Sequence, residues 1–88
     1  MLRISVMNES DKAIQLRVEG WLVGAWVDEL RLQTQAAFLQ AKTLSLDLEK
    51  LLFVDSHGAA LLRDLAGQNV AQLNCSAFID QQVKETNL

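Results

Sequence analysis

The sequence predicts an α/β protein with two layers, in which a four-stranded mixed sheet carries its helices mainly on one face. Three observations support this prediction. Two N-terminal segments alternate apolar and polar residues on either side of a short polar turn, which is typical of an antiparallel hairpin. The later segments switch between strand and helix periodicity, as parallel βα units do. Every predicted strand keeps a polar side, which favours a sheet with one open face.

The hairpin is predicted from residues 2–6 and 14–18. Apolar side chains occupy every second position of both segments, at Leu2, Ile4, Val6, Ile14, Leu16 and Val18. Residues 8–11 between the segments are Asn, Glu, Ser and Asp, which favour a turn. Because the connection is short, we expect the two strands to pair in antiparallel fashion.

The first helix follows an interruption of the strand pattern at residues 20–24. Over residues 25–42 the apolar positions recur at helical spacing. Asp28 and Glu29 lie in the first turn of this segment, where the helix dipole favours carboxylates. The pattern predicts one amphipathic helix.

The third strand is predicted over residues 43–48, where leucines alternate with polar residues. Ser45 and Asp47 form its polar side, which we expect on the open face of the sheet. The connection that follows contains a compact apolar run at residues 51–54.

The second helix begins where this apolar run ends. Asp55 or Ser56 is the expected N-cap, since short polar side chains there accept hydrogen bonds from the first amides of a helix. Gly67 and Asn69 supply the signals that end the helix.

A fourth strand and a last helix complete the predicted fold. The strand is placed at residues 70–75, with Leu73 and Cys75 inward. Ser76 is the expected cap of the last helix. Its predicted apolar contacts are Phe78, Ile79 and Val83.

Composition and charge argue against several classes of function. The 88 residues supply one hydrophobic core, so we expect residues 1–88 to form one domain with superficial sites. Eight scattered basic residues stand against eleven acidic ones, so no cationic stripe for nucleic acid or an anionic membrane is predicted. Cys75 is the only cysteine, which excludes an internal disulfide and favours the reducing cytoplasm. No signal peptide or membrane-spanning segment is expected.

One interpretation of Asp55, Ser56 and His57 is a catalytic site, in which Ser56 is the nucleophile of a hydrolase. Adjacent residues at a helix start point in different directions, however, whereas catalytic serines depend on partners that converge in space. We therefore do not predict an enzyme. His57 and Cys75 belong to separate elements, and no pair of His or Cys has ligand spacing, so neither a metal nor a cofactor is predicted.

Trp21 and Trp26 lie within and just after the loop predicted at residues 20–24. Their side chains are either exposed anchors for a partner or, as is more common for large aromatic residues near a first helix, part of the core. Trp21 is the stronger candidate for a partner surface, because it falls within the loop. Gly20 and Gly24 ease turns and match no phosphate-binding pattern.

Three segments carry a family resemblance. They are the strand ending at Glu19 and Gly20, the leucine-rich strand at residues 44–48, and the sequence Phe-Val-Asp-Ser-His-Gly at residues 53–58 that leads into an Ala-Ala-Leu-Leu helix. Together they resemble the STAS domain, the family of anti-sigma factor antagonists and of regulatory domains of sulfate transporters. The resemblance covers nearly the whole chain, and its most specific part is residues 55–58. It implies the fold predicted above.

The resemblance also implies a docking site. In the antagonist branch the motif is Asp-Ser-Ser-Gly, and its second serine accepts phosphate from an anti-sigma factor that is also a kinase. A phosphoserine adds about −1.5 to −2 charges at the start of a helix, which changes the surface offered to a partner. In this chain that position is His57. The implied site comprises Asp55, Ser56, His57 and Gly58 and is not switched in the usual way, with Ser56 as the alternative position for phosphorylation.

The function predicted first is a bacterial regulatory module that binds a cytoplasmic protein, an anti-sigma factor with serine kinase activity, through the start of the second helix and Trp21. The alternative is a STAS subunit of a membrane transport complex, for instance an ABC transporter of phospholipids, where the same helix contacts the ATPase. An imidazole titrates near neutral pH, so His57 is either a switch or an exposed side chain without a special role. The open sheet face and an exposed edge strand permit a homodimer, but nothing in the sequence specifies one.

Overall fold

A computed structural model of the chain describes residues 1–85. These residues form β1 (Leu2–Glu9), β2 (Ala13–Leu22), α1 (Ala25–Leu39), β3 (Thr43–Asp47), β4 (Leu51–Val54), α2 (Ser56–Gly67), β5 (Ala71–Leu73) and α3 (Ala77–Glu85). The predicted mixed α/β fold, with an N-terminal antiparallel hairpin followed by parallel strands, is confirmed. None of the helices formed by residues 1–85 combines the length and the apolar character needed to cross a bilayer.

β2 is the central strand of the sheet, with β1 antiparallel along one edge. Its other edge pairs in parallel with β3 along residues 13–17 and with β4 along residues 20–22, and β3 pairs in turn with β5. β4 is a strand that the sequence did not predict. It forms because the chain returns to the same edge of β2 after β3 has ended, where the Gly20 amide donates to the Lys50 carbonyl (3.0 Å).

The helices cover one face of the sheet, and the core fills the space between the two layers. Alternate residues of β2 and β3 point into this core, whereas Gln15, Arg17 and Ser45 between them are only half-buried on the opposite face. The predicted open face is therefore present. The largest fully buried side chains are Leu16, Val18, Leu22, Leu30, Thr34, Leu46, Leu48, Leu62, Leu65 and Ile79.

Leu73 and Phe78, which the sequence predicted to face the core, are exposed instead. β5 spans three residues, and its Gln72 side chain reaches toward the helices, where Nε2 donates to the Leu62 carbonyl (2.6 Å). Because neighbouring residues of a strand point to opposite faces, Leu73 lies on the open face. In α3 the buried contact is made by Ile79, and Phe78 lies on the outer side of the helix.

The first helix is shorter than the sequence predicted. α1 ends at Leu39 and not at residue 42, because Ala41 adopts a left-handed conformation with a φ of 57°. Its buried face includes Thr34, a polar residue that the apolar pattern did not mark. The Thr34 hydroxyl donates to the Arg31 carbonyl (2.9 Å), so its burial leaves no donor unsatisfied.

Asp47 lies on the polar side of β3, as predicted, but it is buried. Its Oδ2 lies 3.4 Å from Nη2 of Arg17, and its Oδ1 accepts from the Glu49 amide (3.1 Å) and the Asn74 side chain (3.3 Å). The hydrogen bond from the Glu49 amide, helped by Asn74 and Arg17, lowers the pKa of Asp47 against the opposing effect of burial. Asp47 thereby joins β2, β3 and the turn after β5.

Candidate functional site at the start of α2

Asp55 is the N-cap of α2 and also binds the start of α1. Its backbone is extended, and its Oδ1 accepts from the Gly58 amide (2.7 Å). Its Oδ2 accepts from the amide of Gly24 (2.9 Å), the N-cap residue of α1, which has no capping side chain of its own. One carboxylate therefore holds the starts of two helices together.

The charge of Asp55 follows from these contacts. Partial burial by itself raises the pKa of this carboxyl. The hydrogen bonds from the Gly24 and Gly58 amides, together with the nearby His57, outweigh that effect and lower the pKa below its ordinary value. Asp55 is therefore an anion at neutral pH.

Gly58 is buried against the end of β2. A Cβ at this position would overlap the Leu22 carbonyl oxygen and lie 3.1 Å from Cγ of the same leucine. Only glycine lets the first turn of α2 approach the strand so closely. Of the four motif residues, Gly58 is thus buried beneath the turn, and Asp55 is half-buried with both carboxylate oxygens bonded to backbone amides.

Ser56 and His57, the first two residues of α2, are exposed. Asp55 supplies the cap, so the Ser56 hydroxyl is not committed to that role. Within residues 1–85 no hydrogen bond joins Ser56 to His57, so the two side chains are not arranged as a nucleophile and its base. The motif therefore exposes two polar side chains on a backbone that is held by the Asp55 cap and by the close contact of Gly58 with β2.

Trp21 lies in β2, one residue before its end, and not in a loop. Its side chain is 53% exposed, and its ring centroid lies 6.0 Å from that of Phe53, its register partner on β4. Trp26 at the start of α1 is 40% exposed. The core interpretation therefore applies to neither tryptophan, and Trp21 is the more exposed of the two, as expected of the stronger surface candidate.

A groove of about 280 Å³ lies beside the start of α2. Its described lining consists of Phe53, Val54, Asp55, Ser56, Gln82 and Glu85. Sequence reasoning found Asp55 and Ser56 but missed Phe53 and the two α3 residues. Phe53 belongs to an uninterrupted apolar run in which no polar neighbour marks the exposed side. The α3 residues are far along the chain, and no local pattern signals that they come close.

The order of the strands and helices gives an α/β fold of the kind found in anti-sigma factor antagonists. The chain is similar to the solved structure of the anti-sigma factor antagonist SpoIIAA in its unphosphorylated form. The TM-score is 0.67 at 23% sequence identity, covering 93% of this chain and 82% of that one. No protein-family model matches the chain, and no curated protein matches it significantly. At this identity the similarity establishes the fold.

Proposed function

We propose that the chain is a regulatory module that binds a partner protein through the start of α2. One observation carries this proposal. Ser56 and His57 are exposed side by side at a helix start whose backbone is held by the Asp55 cap and by the close contact of Gly58 with β2. A backbone that is already held in place suits recognition, since little backbone entropy is lost when a partner docks.

The aromatic pair beside this helix start supports the proposal. Trp21 and Phe53 expose their rings next to each other, and Phe53 lines the same groove as Ser56. Exposed tryptophan is enriched among the residues that contribute most to protein interfaces. We therefore include Trp21 in the proposed docking surface, with Ser56 and His57 as its polar part.

The resemblance to anti-sigma factor antagonists specifies the partner in this proposal. The partner is a cytoplasmic anti-sigma factor with kinase activity, and the module has no chemistry of its own. His57 stands where that family carries its phosphoacceptor serine, so the proposed docking does not depend on phosphorylation at this position. Phosphorylation of Ser56 would change the size and charge of the surface that Ser56 and His57 share.

Affinity capture with matched charge variants tests this proposal. The bait proteins are the wild type, His57→Glu, and Gln35→Glu, which adds the same charge at an exposed position of α1. We expect the wild type and Gln35→Glu to retain the same partner, identified by mass spectrometry, and His57→Glu to bind it at least about tenfold more weakly. Equal binding by all three proteins would contradict docking at α2. Recovery of an ATPase with permease subunits would replace the antagonist assignment by a transport complex.

A further inference from the structure

We propose that the groove beside the start of α2 receives an arginine side chain of the partner protein. This inference rests on the proposed function, because it names the chemistry by which the partner engages the same surface. Two independent features of the groove lead to it, the charge of its walls and an exposed aromatic ring.

The groove carries negative charge on two sides. Asp55 lies on the α2 side and is an anion held by two backbone amides. Glu85 lies on the α3 side, is exposed, and accepts a hydrogen bond from Gln81 through Oε1 (2.6 Å). None of the described lining residues is a cation, and the neighbouring Lys84 pairs with Asp80 at 3.0 Å. The groove is therefore complementary in charge to a cationic group.

The aromatic ring of Phe53 selects among cations. Phe53 lines the groove, is 38% exposed, and is supported from the side by Trp21. A guanidinium group stacks on an aromatic ring while it donates hydrogen bonds in its own plane to carboxylates. An ammonium group is a compact, strongly hydrated charge that cannot do both equally well. A groove that combines a ring with two carboxylates thus favours arginine over lysine.

The size of the groove limits what can enter. Its volume of about 280 Å³ is several times the roughly 30 Å³ that one water molecule occupies in the liquid. One long side chain fits this space. The occupant is therefore a single side chain presented by a larger partner.

A fragment titration tests the arginine site without requiring the partner. The probe is Nα-acetyl-arginine amide, added to the ¹⁵N-labelled protein and followed by amide chemical shifts. We expect saturable shifts confined to residues 53–56 and 82–85. The dissociation constant should be in the millimolar range, which corresponds to a binding free energy of about −4 kcal/mol. Nα-acetyl-lysine amide should bind at least about threefold more weakly, since the stacking on Phe53 is lost. Shifts spread over the whole surface, or equal binding of the two amides, would overturn the proposal.

Two variants make the titration specific. Glu85→Gln should weaken binding of the arginine amide by about threefold or more, because it removes one charge from the groove. Glu29→Gln is the matched control, since Glu29 is also exposed and accepts from a glutamine one helical turn away (3.4 Å), but on α1. Phe53→Leu should remove the preference for arginine over lysine and retain weak binding of both. Binding unchanged by Glu85→Gln would refute the site.

Measuring how the two variants bind the captured partner distinguishes failure of this inference from failure of the proposed function. If His57→Glu weakens partner binding and Glu85→Gln does not, docking at α2 stands and the arginine site is refuted. If neither variant weakens it, docking at α2 fails as well. If both variants weaken binding, a charge swap follows. Glu85→Arg should bind a partner whose arginine is changed to glutamate at least about tenfold more tightly than it binds the unchanged partner.

Discussion

Asp55 is the residue on which the geometry of the candidate site depends most. A carboxylate has two oxygens, and here each accepts a backbone amide from the start of a different helix. An asparagine in its place would offer one oxygen and one NH₂ group, so it could cap α2 or bind Gly24 but not both. Asp55 is therefore needed for the relative position of α1 and α2, in addition to its capping role.

Gly58 gives a prediction about the stability of this turn. Gly58→Ala should lower the free energy of unfolding by about 1–3 kcal/mol, the usual effect of overpacking, because the added methyl group would overlap the Leu22 carbonyl. Urea denaturation followed by circular dichroism measures the change.

Gly67→Ala is the matched control for this prediction. It makes the same substitution in α2, where a Cβ would meet nothing within 4 Å, and should be neutral or stabilising by up to about 1 kcal/mol. If Gly58→Ala proved as stable as the wild type, α2 would be free to shift away from β2 and the proposed rigidity of the helix start would be wrong.

At the scale of elements, Asp47 holds the parallel part of the sheet together. It receives Arg17 from β2, and Asn74 from the turn that follows β5. β5 has only three residues and pairs only with β3 in the described sheet, so few backbone hydrogen bonds hold it. The side-chain contacts of Asp47 compensate for the short ladder at this edge.

The lowered pKa of Asp47 predicts how stability depends on pH. A carboxyl whose pKa is lower in the folded state stabilises the fold above its unfolded pKa, about 3.9, and loses this contribution as pH falls through the folded value. The urea midpoint should therefore decrease as the pH is lowered from 5 to 2.5. The midpoint of Asp47→Asn should decrease less over the same interval. Asp11→Asn, an exposed position in the hairpin turn, is the control and should follow the wild type. Identical pH profiles for all three proteins would contradict this role of Asp47.

At the scale of the whole molecule, the proposed docking surface is assembled from three distant parts of the chain. Trp21 comes from β2, Ser56 and His57 from α2, and Glu85 from the end of α3. β2 brings the first two parts together, because its last residues pair with β4 directly before α2 begins. α3 contributes because its buried Ile79 holds it beside α2 and β4.

The two exposed tryptophans distinguish docking from folding. Trp21→Ala should weaken binding of the captured partner by about tenfold or more, the usual effect of truncating a central aromatic residue, while stability changes by less than about 1 kcal/mol. Trp26→Ala is the matched control, since Trp26 is similarly exposed but lies on α1 and outside the groove. Calorimetric titration and thermal melts measure the two effects. Equal affinity losses in both variants would show that the docking surface is not centred on α2.

Much of the fold could be predicted because its signals are local. Alternation in β1, β2 and β3 and the helical spacing of α1 and α2 identified these elements, and the Ser76 cap of α3 is present, with Oγ accepting from the Ile79 amide (3.1 Å). β4 was missed because a short apolar run has no periodicity of its own. Leu73 and Phe78 were misplaced because hydrophobicity alone does not say which face of a short element is buried.

By itself, the sequence determined the α/β class, the antiparallel hairpin, the open sheet face and the polar motif at the start of α2. These properties follow from periodicity and capping, which depend on residues a few positions apart. Only the tertiary structure decided that Asp55 binds two helix starts, that both tryptophans are exposed, and that Phe53 and Glu85 line one groove with Ser56. Such contacts join residues distant along the chain, and they depend on strand order and helix packing, which no local pattern encodes.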